Sequence, residues 1–363
     1  MGTRTFITSP VSLLGVLSVT VICVNGFLPN RLSPMASKSD FTHQDITETG
    51  ILRAVAEMFE ETPLFDRPIK HGELTGLTNI TARSLFDKYY GGTVSEKLFQ
   101  EAIDDIVQAN NRVDQDHYSE AAWHVNGEAI KEGNDKITML RDTAINILNK
   151  TKPNFDAARE VIGQFLHIVQ MFYSNTNWPE LKGSAVFEAL GIPGKTLLDV
   201  APPSLDTCKS CGTLMNHRGS SGVSCAGNLL VQTMLTSGYR SGQDRSKPSK
   251  DPQAHQTGKC SHGGPHDTSS TTSAATGGIN KDSSNPKLSP HYYLHQQAAE
   301  GAIRHTKFLL VDPVYGLRKQ IGNNTFRALF NLAVSSSMVF VIDTSHTMAD
   351  DVQAVKKKRR LKS

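Results

Sequence analysis

The chain has 363 residues, of which 38% are hydrophobic and 20% are charged, so it can bury a core and is not disordered throughout. Its formal net charge is +3, but six basic residues lie in the last eight positions. Without these and Arg4, the stretch from Phe27 to Val355 has 31 basic and 35 acidic residues, a net charge of −4. This mildly acidic composition argues against a broad nucleic-acid-binding face, and the length argues against a mini-protein that depends on disulfides.

The first 26 residues have the features of a cleaved secretory signal. Arg4 precedes an apolar run from Leu13 to Val24, and the residues at the first and third positions before Phe27 are small or β-branched. No later segment has the uninterrupted run of about 18 apolar residues that suggests a membrane span. We therefore expect a secreted, extracellular protein without a transmembrane segment, the alternative being an uncleaved amino-terminal anchor.

From Asp45 to about Leu190 the apolar residues have helical spacing. The pattern i, i+3, i+4, i+7 occurs in four stretches, each of which predicts an amphipathic helix. Four such helices can enclose one core. The apolar positions are Ile51, Ala54, Val55, Met58 and Phe59; Leu98, Ala102, Ile103, Ile106 and Val107; Ile137, Leu140, Ala144, Ile147 and Leu148; and Ala158, Val161, Ile162, Phe165, Leu166, Val169, Phe172 and Tyr173.

Cysteines follow after Pro202. Cleavage of the signal leaves an even set of four, which suggests two disulfides in an oxidising compartment, with all three pairings open. A CxxC spacing within the set is also typical of zinc ribbons, but no second CxxC follows, so zinc is the weaker interpretation there. The four residues are Cys208, Cys211, Cys225 and Cys260.

A region rich in Ser, Thr, Gly and Pro extends from about Ser237 to Pro290 and predicts a long surface loop. Helical spacing returns from His291 to Leu310 and again from Phe326 to Leu332. Three Asn-x-Ser/Thr sequons predict glycosylated surface positions, as expected of a secreted chain. Their asparagines are Asn79, Asn149 and Asn323.

The apolar run from Met338 to Asp343 predicts a central parallel strand with an acidic residue at its carboxyl end, where α/β sheets bind ligands. Asp343, Ser345 and Thr347 then alternate along a loop, as hard oxygen ligands for Mg²⁺ would. This segment resembles the start of a von Willebrand factor A domain, whose Asp-x-Ser-x-Ser/Thr pattern begins a metal-ion-dependent adhesion site. That site also needs later loops, and the chain ends at Ser363, so we expect an incomplete site without functional Mg²⁺ binding.

The basic tail from Lys356 to Lys362 has the composition of a nuclear localisation signal. A secreted chain would not meet the import machinery, so we interpret it as a solvated tail that contacts polyanions such as heparan sulfate or anionic lipid.

The fourth predicted helix places His167, Met171 and Asn175 on one stripe. Its sequence, together with several other segments in the same order, resembles the amino-terminal helical region of the von Willebrand factor A domain-containing protein 7 family and of fungal Het-C-like proteins. The resemblance covers nearly all of the chain after the predicted signal. Its segments are Thr42–Thr47, Trp123–Glu128, Gly163–Glu180, Leu235–Tyr239, Gly258–Gly264, Gly278–Asp282 and Ser289–His291.

Members of this family often show His-x-x-x-Asp-Phe-Tyr-Ser-His-x-Asn-Trp, which is similar to the histidine-rich helices of zinc-dependent phospholipase C and single-strand nucleases. Here Met171 and Asn175 replace two of the candidate ligands. The resemblance therefore implies a degenerate zinc-like set of His43, His124 and His167, which needs a fourth partner to bind zinc well. For each histidine the alternative is an ordinary hydrogen-bonded residue of the helical core.

Together these patterns predict a mainly α fold: a bundle-like helical domain with a disulfide-containing, loop-rich insertion and a short terminal strand from an incomplete α/β von Willebrand factor A domain. The predicted divisions are 1–26 for the signal, 27–202 for the helical domain, 203–290 for the cysteine-containing loop region, 291–334 for further helices, and 335–363 for the truncated A domain with its basic tail.

The leading functional hypothesis is a secreted, non-catalytic binding or adhesion module that needs no cofactor and contacts an extracellular protein or matrix component. Mg²⁺ or Zn²⁺ is the only cofactor that the two metal-like patterns suggest. The alternative is a zinc-dependent hydrolase of the phospholipase C or nuclease type with a degenerate site. The hydrolase requires His43, His124 and His167 to converge within about 4–5 Å of one point, because Zn–N bonds are about 2 Å long.

Overall fold

The computed structural model describes residues 26–215, 221–248, 257–269 and 277–332. The predictions for the signal before Gly26, for Asp343, Ser345 and Thr347, and for the basic tail lie outside the described residues. In the described part, most of the regular structure is helical, which confirms the predicted mainly α fold.

The described residues form ten α-helices, a single 3₁₀ turn and four short strands. The helices are α1 His43–Glu61, α2 Ala82–Tyr90, α3 Lys97–Asp116, α4 Ala121–His124, α5 Ile130–Leu148, α6 Phe155–Asn175, α7 Trp178–Lys182, α8 His295–Val311, α9 Leu317–Ile321 and α10 Asn323–Leu329, and the 3₁₀ turn is Tyr292–Leu294. The strands are β1 Cys208–Lys209, β2 Gly212–Met215, β3 Ser221–Ser224 and β4 Thr257–Gly258.

Helix α6 is the centre of the bundle and packs against α3, α5 and α8, while α1 packs against α3 and α8. Every residue from Phe165 to Asn175 is buried, so the carboxyl-terminal half of α6 has no solvent face. The predicted amphipathic pattern therefore describes only the first half of this helix. Close packing on α3 depends on Gly163, where an added Cβ would lie 2.4 Å from the carbonyl oxygen of Ile106.

Side-chain caps fix where the two helices most relevant to the site begin. Thr42 and Asp45 form a capping box in which each side chain accepts a hydrogen bond from the other residue's backbone N–H. The box makes His43 the first residue of α1. Asn154 caps α6 by accepting a hydrogen bond from the backbone N–H of Ala157.

The loop region is stapled by disulfides Cys208–Cys260 and Cys211–Cys225, which selects one of the three possible pairings. Strand β1 pairs with β4, and β2 pairs with β3, both antiparallel.

The predicted surface loop is wrong for three parts of its length, since residues 237–240, 259–262 and 277–283 are buried. Two of them bond to the end of α6: the backbone N–H of Gly238 donates to the carbonyl of Asn175 at 3.3 Å, and the Lys281 ammonium donates to the carbonyl of Thr176 at 2.9 Å. Residues 259–262 bond to the backbone of Tyr239.

Across the described residues, no helix is both long enough and apolar enough to cross a membrane. The sequon asparagines Asn79, Asn149 and Asn323 are exposed, as glycosylation would require.

Candidate metal centre

Three histidines and one aspartate meet in the core of the bundle. His43 begins α1, Asp114 lies near the end of α3, His124 ends α4, and His167 lies in the buried half of α6. The three histidines are fully buried, and Asp114 is 5% exposed. Four separate helices thus contribute one polar side chain each to this cluster.

The distances within this cluster approach those of a metal site. Oδ1 of Asp114 lies 3.8 Å from Nε2 of His167 and 3.9 Å from Nδ1 of His124. One ligand atom from each of His43, Asp114 and His167 lies within 4.8 Å of the other two. Bonds of 2.0–2.1 Å to tetrahedral zinc would separate ligand atoms by about 3.3–3.4 Å, so the two aspartate distances are about 0.5 Å wider than in a filled site.

The histidine rings also contact one another directly. His43 and His167 are stacked with their centroids 4.6 Å apart, and His124 meets His167 edge to face at 5.5 Å. His43 and His167 thus meet at Asp114, and His124 joins them through its contacts with Asp114 and His167.

A shared threonine fixes the proton positions on two of these rings. The amide nitrogens of Gln170 and Asn110 both donate to Oγ1 of Thr47, at 2.8 Å and 3.3 Å. This turns the amide oxygens towards the imidazoles, so that Nδ1 of His43 donates to Gln170 at 2.5 Å and Nδ1 of His167 donates to Asn110 at 3.2 Å. The second nitrogen of each ring, Nε2, then bears a lone pair.

Those two Nε2 atoms have no hydrogen-bond partner among the described residues, although both are fully buried. A buried lone pair without a partner is costly, and native structures rarely leave one without a reason. The hydrogen bond from Nδ1 to an amide oxygen is the arrangement that orients metal-binding histidines in proteins. The residues therefore fit a bound cation.

His124 is placed by the backbone on both sides of it. Its Nε2 donates a hydrogen bond to the carbonyl oxygen of His117 at 3.1 Å. The lone pair of the ring is therefore on Nδ1, the atom that faces Asp114. The next residue, Val125, has a φ of 53°, a left-handed conformation that is strained for a β-branched residue and that ends α4 directly after the ring.

Asn175 and Met171, the two residues that depart from the family pattern, have different surroundings. The side-chain amide of Asn175 donates to the carbonyl of His124 at 2.9 Å, so it positions the loop that presents this ring. Met171 is fully buried beside the cluster: a Cβ added at Gly26 would lie 2.2 Å from its sulfur and 3.5 Å from Nε2 of His43. Gly26 therefore lies directly against this end of the cluster.

Burial keeps all three imidazoles neutral. It lowers the pKa of His43 to about 4 and the pKa of His124 to about 3, and it lowers the pKa of His167 well below its usual range. The neighbouring imidazoles lower the pKa of His167 further. Neutral imidazole is the form that binds a metal, so no proton competes for these lone pairs at pH 7.

Asp114 is the member of the cluster that the sequence analysis missed. A signal for it exists in α3, because the apolar stripe through Ile103 and Ile106 continues into Asn110 and Asp114. Both polar residues are buried, at positions where the helical period calls for apolar side chains. Polar residues on the buried face of a helix point to a hydrogen-bonded or ligand-binding site.

Comparison with known proteins gives one consistent result. Residues 80–327 match the family model described as the VWA7 N-terminal domain. The chain is 34% identical to von Willebrand factor A domain-containing protein 7 of Rattus norvegicus, over 96% of this chain and 37% of that protein, and 33% identical to its Homo sapiens counterpart, over 95% and 36%. The chain thus spans little more than a third of the length of these relatives. No solved structure matches it.

Proposed function

The chain belongs to the VWA7 N-terminal domain family, and we propose that it is an extracellular, non-catalytic binding module whose helical core contains one zinc ion. The ligands would be His43, Asp114, His124 and His167. One observation supports this most strongly: two buried imidazole nitrogens, His43 Nε2 and His167 Nε2, have lone pairs fixed by their neighbours and no hydrogen-bond partner in the described part of the chain.

Zinc is the cation that best matches these donor atoms. Imidazole nitrogens and a carboxylate oxygen are its usual ligands besides thiolate, whereas Mg²⁺ and Ca²⁺ prefer oxygen alone. Four ligands from the protein would complete a tetrahedral shell, which is the arrangement of structural zinc sites. The ion would then join α1, α3, α4 and α6 and stabilise the surface that the module presents to a partner.

The extracellular assignment is supported by independent features. Two disulfides staple the loop region, three sequons are exposed, and the sequence begins with a signal-like segment. Disulfides persist in oxidising compartments, so these features favour a secreted module that binds an extracellular protein or matrix component.

The test is metal content per chain. The protein should be secreted from a eukaryotic host with its own signal and purified without chelator or metal affinity. We expect about one zinc per chain by elemental analysis, and its loss on Asp114→Asn or His167→Gln. His305→Gln is the matched control, because His305 is equally buried but bonds to Tyr173 and Leu190 outside the cluster. Wild-type protein that is folded, metal-free and unaffected by added Zn²⁺ would refute the proposal.

Hydrolysis is the second candidate, and one observation favours it: a surface cleft lined by Arg240, whose charge contributes to the lowered pKa of His124, opens beside the cluster. A catalytic zinc needs an open coordination position that substrate or water can reach. Phosphodiester and phospholipid substrates with added Zn²⁺ provide the assay. Turnover above buffer that His167→Gln abolishes would establish catalysis, and its absence in zinc-loaded protein would leave the binding module.

A further inference from the structure

A guanidinium with no acidic partner is buried beside the histidine cluster. Arg240 is 6% exposed, and no carboxylate among the described residues forms an ion pair with it. Its hydrogen-bond contacts are with one ring: Nη1 lies 3.3 Å from Nδ1 and 3.5 Å from Nε2 of His262. These distances are nearly equal, so the guanidinium lies against the imidazole and is not aligned with one lone pair. A buried cation without a counter-ion is costly.

Arg240 lines a surface cleft together with His262, Asp267 and Asp282. The cleft has an accessible volume of about 40 Å³, which suits one compact group better than an extended chain. Arg240 is also close enough to His124 to contribute to its lowered pKa. The cleft therefore opens beside the candidate metal centre.

The two carboxylates of the cleft already have other partners. Asp267 accepts hydrogen bonds from the backbone N–H groups of Ser241, Gly263 and Ser269, at 2.8–3.0 Å. Oδ1 of Asp282 accepts from the hydroxyl of Ser174, and its Oδ2 lies 3.4 Å from Nε2 of His262.

We propose that this cleft binds a phosphate group, as a free phosphate or as part of a phosphate ester, with Arg240 as its main contact. Guanidinium is the side chain best suited to a tetrahedral oxyanion, because its planar fork of donors matches two oxygens at once. The inference rests on the proposed function only in part: zinc in the neighbouring cluster would add positive charge and strengthen binding, but Arg240 accounts for the site without it.

The first test is calorimetric titration of the full chain, as purified, with inorganic phosphate. We expect saturable binding that Arg240→Gln weakens about tenfold or more and that Arg240→Lys weakens less. Arg245→Gln is the control, since Arg245 is 38% exposed, pairs with Glu132 and does not line the cleft. Absence of binding, or equal binding by wild type and Arg240→Gln, would overturn the proposal.

A second variant guards against misfolding of the first. Asp282→Asn removes a negative charge that faces the cleft, so it should tighten phosphate binding several-fold, and unchanged or weaker binding would count against the site. Vesicles of phosphatidylcholine with and without phosphatidic acid, compared with soluble glycerol phosphate, distinguish a lipid headgroup from a free ester as the source. Binding of either class that depends on Arg240 supports the proposal.

Metal analysis of the same samples separates the two proposals. Phosphate binding by zinc-free protein that is unaffected by added Zn²⁺ would uphold the Arg240 site and refute the zinc module. Zinc binding without phosphate binding would uphold the zinc module and refute the Arg240 site.

Discussion

Replacing Thr47 with valine removes the one hydroxyl that orients both amides behind the histidine cluster. The change keeps the shape of the side chain but leaves the buried amide nitrogens of Gln170 and Asn110 without their acceptor. Each unsatisfied buried donor costs about 1–3 kcal/mol, and the 3.3 Å bond from Asn110 is the weaker of the two. We therefore expect the metal-free protein to lose about 2–4 kcal/mol of unfolding free energy.

The same substitution should weaken zinc binding about 10- to 100-fold, because the amides would no longer hold the lone pairs of His43 and His167 towards one point. Urea denaturation of metal-free protein measures the first effect, and zinc titration against a competing chelator measures the second. Thr306→Val is the matched control, since Thr306 is equally buried but donates only to the carbonyl of Ala302 within its own helix. If the two variants lost equal stability and bound zinc like the wild type, the assigned role of Thr47 would be wrong.

Three further changes test other parts of the structure. Burial lowers the pKa of His305 to about 3, so between pH 6.5 and 3 only the unfolded chain binds a proton at this residue. Its contribution to stability should therefore fall by about 1.4 kcal/mol per unit as the pH drops through that range, and the urea midpoint of His305→Gln should depend less on pH than that of the wild type. Lys259→Met leaves Glu128 buried without its 2.9 Å partner, at a cost of about 3–5 kcal/mol in urea unfolding, and adding Glu128→Gln should recover part of it. Gly163→Ala forces α3 away from α6 and should cost about 1–3 kcal/mol, seen as a lower thermal midpoint; an unchanged midpoint would contradict the packing.

The main helices could be predicted because each repeats an apolar stripe over three or more turns. Helix α2 has such a stripe too, through Leu85, Phe86 and Tyr89, but at nine residues it is too short for periodicity to stand out. The second half of α6 could not be predicted as fully buried, because its polar residues are satisfied by partners that are distant in the sequence. Ser174, for example, donates to Asp282.

The candidate site was predictable only in part. Resemblance to a family indicated His43, His124 and His167, and the structure brings them together. Asp114 was missed although the buried stripe of α3 marks it, whereas the role of Thr47 depends on Gln170 and Asn110 of two other helices. The burial of residues 237–240 was also missed, since it depends on a hydrogen bond to the end of α6 and not on local composition.

The central position of α6 has a consequence for synthesis of the chain. About 120 residues separate the end of α6 from the start of α8, the helix that covers Tyr173 and its neighbours. At roughly 5–20 residues per second, a ribosome needs about 6–24 seconds to make that stretch. Throughout this interval the apolar half of α6 lacks its last cover. This half of α6 therefore stays exposed in the nascent chain for that time, and slow translation of the loop region would prolong the exposure.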